Sequence, residues 1–146
     1  ILKERFGHDQ FRIGQEAVIR DVISGRDTIA ILPTGSGKSL CYQLPAYTKS
    51  GTVLIISPLV ALMEDQVTFM KSTGEKRVVA LNSFLSYVDR RRIIGELASY
   101  KFIFISPEML LQNKNAVQTK SVFECWYIYC VVQRSESSKN LTKVIE

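Results

Sequence analysis

The chain has 146 residues, 46% hydrophobic and 23% charged, with a net charge of +5. That length suits one globular domain and not two, and the composition excludes a disordered or collagen-like chain. No apolar run approaches the roughly 18 residues of a membrane-spanning helix, so a transmembrane protein is excluded. The first amphipathic segment runs from about Gly14 to Ser24, with Ala17, Val18, Asp21, Val22 and Ile23 at helical spacing and Gly25 as its stop. Thr28–Leu32 reads as a short buried strand, and Lys38 to about Tyr47 as a helix that Pro45 kinks or shortens. Thr52–Ser57 is a second strand, halted by Pro58, and Leu59 to about Met70 a helix with Leu62, Met63, Gln66 and Val67 along one face. Arg77–Leu81 is a third strand, Ser86 caps a helix to about Tyr100, and Phe102–Ser106 is a fourth strand before Pro107. Strands alternating with helices predict βαβ units and a parallel sheet, with ligands beyond the carboxyl ends of the strands.

The sharpest local signal lies between the first strand and its helix: Leu32-Pro33-Thr34-Gly35-Ser36-Gly37-Lys38-Ser39. Gly35 and Gly37 allow backbone N–H groups to turn onto phosphate oxygens, and the helix start adds partial positive charge. Lys38 can reach β- and γ-phosphates, and the Ser39 hydroxyl can ligate Mg²⁺. The general phosphate-loop pattern has glycine where Leu32 stands. Three cysteines, Cys41, Cys125 and Cys130, form neither a disulfide framework nor a zinc pattern and suit a reducing cytosol. The basic excess lies in the second half and is densest at Arg90, Arg91 and Arg92, which permits a nucleic-acid partner and equally suits a solvated helix face.

PTGSGKS with Leu32 before it resembles motif I of superfamily 2 helicases. Phe6-Gly7-His8-Asp9-Gln10-Phe11-Arg12-Ile13-Gly14-Gln15 resembles the adenine-reading motif of RecQ-type DNA helicases. Ser57 to Val67 resembles that family's motif Ia, and Leu81-Asn82-Ser83 and Ile105-Ser106-Pro107-Glu108 its next landmarks, in order. The likeness covers residues 2 to about 115 and implies an α/β three-layer P-loop (RecA-like) domain with a parallel sheet, incomplete at its C-terminal end. It implies ATP and Mg²⁺ as cofactors, held by His8, Arg12, Gln15, Thr34, Gly35, Ser36, Gly37, Lys38 and Ser39. Gln15 would read adenine through its donor–acceptor amide, with His8 and Arg12 stacking on the base. Read singly, these three are also ordinary surface residues. The resemblance further implies 3′ to 5′ unwinding in DNA repair and recombination, with backbone contacts to single-stranded or forked DNA from Ser57, Pro58, Ser83 and Ser106. Ser57 and Ser106 could instead cap the helices that follow them, or do both.

The family next has a strand ending in Asp-Glu-Ala-His, whose acids hold Mg²⁺ and activate water. Here the last aspartate is Asp89, and VVQRSE puts Gln133 and Arg134 at those positions. Residues 1–115 therefore read as a partial ATP-binding domain and 116–146 as a divergent tail, with no catalytic acid, no second motor lobe and no unwinding by this chain alone. Opening on Ile1, the numbering is expected to start inside a longer gene product. The aromatic-rich stretch from Phe123 to Tyr129 could stack on nucleic acid, and a buried strand or apolar tail is the plainer reading. Alternatives are a different P-loop enzyme, such as a small kinase, or a non-catalytic remnant that binds nucleotide or DNA. The expected location is cytoplasmic, with the nucleoid in a bacterium or in the nucleus of a eukaryote. No oligomeric state can be read from the sequence.

Overall fold

The computed structural model describes residues 1–33 and 35–113, and the backbone of 126–130. The expectations placed on Thr34, Gln133 and Arg134 lie outside the described residues. Three of the four expected strands form where the β-branched and aromatic runs stand: β1 (Thr52–Ile56), β2 (Val78–Leu81) and β3 (Phe102–Ile105). All pair in parallel, with Val53 and Val78 both opposite Phe102. The other side of β1 is taken by β4 (Trp126–Cys130), also parallel, with Thr52 opposite Trp126. The order is β2-β3-β1-β4.

The sheet is covered on both faces, which is why its strands are nearly continuously apolar. The side-chain period of two sends alternate residues to opposite layers. Val53, Ile55, Phe102 and Phe104 face Tyr42 and Ala46 of α3 (Leu40–Thr48) and Met63, Val67 and Met70 of α4 (Val60–Ser72). Leu54, Ile103 and Ile105 face Ile93 of α5 (Tyr87–Gly95) and Met109 of α6 (Pro107–Gln112). The outer side of α3 carries α2 (Gln15–Ile23), through Ile19 against Leu40, Cys41 and Leu44, with Leu2 and Phe6 of α1 (Leu2–Phe6) at the margin. The three-layer α/β architecture is thus present.

Two expectations about elements change. The helix after Ser86 ends at Gly95 rather than near Tyr100 and resumes only as a 3₁₀ turn over Leu97–Ser99. Glycine costs about 1 kcal/mol against alanine inside a helix, so the end falls there. Thr28–Leu32 is not a strand. A strand requires a ladder partner, and this segment has none in the sheet. The segment pairs with none of the four strands, and Ile29 and Ile31 stand 84% and 71% exposed. Pro45, by contrast, leaves α3 unbroken, because that helix is buried continuously from Leu40 to Ala46 and packing outweighs propensity.

Candidate functional site

The glycine-rich loop enters α3 through tight turns. Ser36 N–H donates to the Pro33 carbonyl at 3.2 Å, and Leu40 and Cys41 N–H to Gly37 and Lys38 at 3.1 and 3.0 Å. Gly35 and Gly37 have φ of 78° and 77°, a left-handed conformation that side chains disfavour. Gly37 is required twice over, since a Cβ there would stand 2.6 Å from Gln15 Nε2.

That contact shows what holds the loop. Gln15 is 2% exposed at the start of α2. Its Nε2 donates to the Ser36 and Gly37 carbonyls, each at 3.0 Å, and its Oε1 accepts the Arg12 N–H at 2.8 Å. Arg12 Nη1 donates to the Gly35 carbonyl at 2.6 Å, and Lys38 Nζ to the Pro33 carbonyl at 2.8 Å. Three candidate nucleotide-binding side chains from two distant segments therefore converge on the carbonyls of one loop. His8 is exposed and outside this cluster. The Ser36 hydroxyl is buried with no hydrogen-bond partner among the described residues.

Behind the loop, a cavity of about 50 Å³ is lined by Lys38, Ser39, Tyr42, Ser57, Gln66 and Phe104 among others. Burial pushes the Tyr42 phenol up, against smaller opposing effects of hydrogen bonding to Ser39 and Gln43. Its hydroxyl donates to Gln66 Oε1 at 3.2 Å, which ties the helix after the loop to α4. The cavity also joins the loop to Ser57, the first residue beyond β1.

Ser57, Ser106 and Asn82-Ser83 follow β1, β3 and β2 in turn, and so lie along one edge of the sheet. Ser57 N–H donates to Ile105 O, and Ser106 N–H to Leu81 O, both at 3.1 Å, which extends the ladder by a residue. Both serine side chains are buried and turned inward. Ser57 Oγ accepts from Leu59 N–H at 3.3 Å, and Ser106 Oγ caps α6 by accepting from Met109 N–H at 3.3 Å. Pro58 and Ser83 are exposed on the same edge. Asn82 belongs to the Leu81-Asn82-Ser83 landmark, but a role of its own was not legible in the sequence. It is 1% exposed, its Nδ2 donates to Glu64 Oε1 at 2.6 Å and its Oδ1 accepts Phe84 N–H at 3.0 Å. An asparagine directly after a strand is a recognised turn former, which was the available signal.

A Gly-Lys-Ser loop is thus held by an upstream glutamine, and polar turns line the carboxyl edge of the parallel sheet. The DEAD/DEAH box helicase family matches residues 12–129. The chain belongs to that family. It is 50% identical over 121 residues to "Probable ATP-dependent DNA helicase RecS" of Bacillus subtilis, covering 83% of this chain and 24% of the relative. It is 40% identical over 115 residues to the ATP-dependent DNA helicase RecQ of Haemophilus influenzae, covering 77% and 18%. A hypothetical ATP-dependent RNA helicase from Sulfolobus tokodaii shares the fold, with a TM-score of 0.67 at 20% identity over 84% of this chain and 38% of that one. The chain spans about a quarter or less of the length of these curated relatives. The family match and β4 both extend past residue 115, the point at which the sequence motifs stop.

Among the described residues, no cluster of three or more His, Cys, Asp or Glu side chains could hold a metal ion, and no helix is long and apolar enough to cross a membrane. The loop residues themselves fit a nucleotide triphosphate. Lys38 and Arg12 are cations with neutral carbonyls as acceptors, and the space beside Gly35 is open, with nothing among the described residues beyond its chain neighbours within 4 Å of where a Cβ would stand.

Proposed function

We propose that this chain is the nucleotide-binding first lobe of a RecQ-type ATP-dependent DNA helicase, of 3′ to 5′ direction, acting in DNA repair and recombination. The observation that carries the reading is the convergence of Arg12, Gln15 and Lys38 on one Gly-rich loop. A triphosphate offers Lys38 an anionic acceptor in place of a neutral carbonyl, which adds Coulomb attraction to a hydrogen bond that the ammonium already makes charge-assisted. Exchange of the Pro33 carbonyl for a phosphate oxygen is therefore favourable. Both Gln15 amide protons are committed to Ser36 and Gly37, so reading adenine requires Gln15 to release one of them. Base recognition and loop release then share one side chain. His8 and Arg12 would stack on the base, and Thr34, Gly35, Ser36 and Gly37 would line the phosphates. Ser39 would hold Mg²⁺, which would supply positive charge against that of the phosphates.

DNA lies, in this reading, along the carboxyl edge of the sheet, with its backbone on Ser83 and Pro58. The buried Ser57 and Ser106 hydroxyls shape the turns that present neighbouring N–H groups. Ser57 and Lys38 line the same cavity, which supports communication between nucleotide and DNA. The place of action is with chromosomal DNA, in the nucleoid or nucleus. Residues 1–115 form the partial ATP-binding domain and 116–146 the divergent tail, with β4 carrying the sheet across the boundary. A second reading, a nucleotide- or DNA-binding remnant without turnover, is favoured for the isolated chain by one feature. No aspartate follows Asp89, and Gln133 and Arg134 stand where the family has its acids.

Calorimetric titration tests the proposal. ATP should bind more tightly than GTP, and Lys38→Ala should weaken ATP binding more than ADP binding. Equal affinities for ATP and GTP would remove the adenine-reading role. No binding of either nucleotide would remove the nucleotide site altogether.

A further inference from the structure

The turn after β2 and the first turn of α5 display three large apolar side chains to solvent: Phe84, Tyr87 and Val88, at 84%, 69% and 73% exposure. Single exposed apolar residues are common, but three in the segment 84–88 form a patch that requires an explanation. The patch is held in place. Phe84 N–H is bonded to buried Asn82, and Asn82 to Glu64 of α4. Ser86 caps α5 by accepting from Asp89 N–H at 3.1 Å. Phe84 is thus presented outward by an ordered turn.

The charge around the patch is basic. Tyr87, Val88 and Arg91 share one helical face by their spacing, and the Arg91 guanidinium lies 5.8 Å from the Tyr87 ring centroid. Residues 83–92 carry three arginines and one acid, Asp89. Asp89 is engaged by Arg92 at 3.1 Å and by the Ser86 hydroxyl at 2.7 Å. Arg90 Nε is buried with no hydrogen-bond partner among the described residues. The nearest other carboxylate in this bonding network, Glu64, is engaged by Asn82. Aromatic residues and arginine also mark protein interfaces, an outcome that measuring self-association separates. Exposed rings among arginines match a ligand with π-faces and a polyanionic backbone.

We propose that Phe84 and Tyr87 are stacking platforms for the bases of a single strand of nucleic acid whose backbone is gripped at Ser83. This rests on the DNA-binding reading above and adds base contact to an edge otherwise assigned only backbone contacts. Stacking tolerates any sequence, because every base has a π-face.

The test compares binding of a dT 15-mer with that of an abasic 15-mer of the same backbone, on the full chain, by fluorescence anisotropy. Phe84→Ala should weaken dT binding by roughly 5- to 100-fold and leave abasic binding unchanged. Phe84→Trp should restore dT binding, and Tyr87→Ala should act in the same direction as Phe84→Ala. Arg91→Gln should weaken both ligands and lower the salt slope by about 0.7. Equal losses on both ligands, or no loss on dT, would overturn the stacking role while leaving backbone binding intact. Wild-type protein that binds neither strand would instead remove the DNA-binding reading, and this inference with it. Self-association abolished by Phe84→Ala, with unchanged dT binding, would reassign the patch to a protein surface and overturn the proposal. All three positions are exposed, and unchanged thermal melting of each variant confirms that folding is not the cause.

Discussion

Replacing Gln15 with alanine removes one side chain and strands three backbone groups. The Arg12 N–H loses its acceptor, and the Ser36 and Gly37 carbonyls lose their donors, at 2.8, 3.0 and 3.0 Å. A hydrogen bond contributes about 0.5–1.5 kcal/mol net, and an orphaned buried group costs more. The loop carbonyls lie at positions only partly buried, so water recovers some of that loss. The expected destabilisation is about 2–4 kcal/mol, or roughly 5–15 °C in melting temperature for a domain near this size. Gln15→Glu isolates the donors. It keeps an acceptor for Arg12 N–H but turns a carboxylate oxygen toward the Ser36 and Gly37 carbonyls, so it should cost at least as much as alanine despite its matched shape. Urea unfolding of the three proteins, with and without ATP, measures both consequences. A Gln15→Ala change below about 0.5 kcal/mol would show that the loop holds its shape without the clamp, and the loop-release account of adenine reading would fail with it.

Three further outcomes follow from the same geometry. Burial pushes the Glu75 carboxyl up, but Arg77, through its backbone N–H and its guanidinium, and the Tyr47 hydroxyl outweigh this and hold it below the usual carboxylate range. Its folded value lies below its unfolded one, so its contribution is present above about pH 4.3 and is lost as pH falls through the folded value. Glu75→Gln should flatten the acid limb of the stability–pH curve, and an unchanged limb would refute the assignment. Binding of single-stranded DNA should be nearly sequence-independent, with a salt slope of roughly −1.5 to −3 for two to four neutralised phosphates, so strong sequence discrimination or salt independence counts against backbone contact. Phosphate release by the chain with single-stranded DNA should not exceed that of Lys38→Ala. Robust turnover lost in that variant would show that another acid, such as Glu108, supplies the missing chemistry.

The sequence by itself determined everything whose cause is local. The runs TVLII, VVAL and FIFI are β-branched or aromatic and apolar on both sides, so they had to lie in a sheet covered on both faces. Gly35 and Gly37 marked the left-handed turns of the loop, and Ser106 before Pro107 marked a helix start, because cap chemistry acts within three residues. The ordered motifs marked the glycine-rich loop and the polar turns after the strands for the same reason. What the tertiary structure alone decided was pairing over distance. Thr28–Leu32 has a strand's composition but no ladder partner, because strand pairing depends on segments distant in the chain and no local window records that. The same limit hid the Gln15 clamp: an amide 21 residues from Ser36 meets its carbonyl only after α2 has packed on α3. Ser57 and Ser106 make the same point, since a hydroxyl after a strand can serve a ligand, its own turn or both, and only the folded chain shows that each accepts a backbone N–H of its own turn.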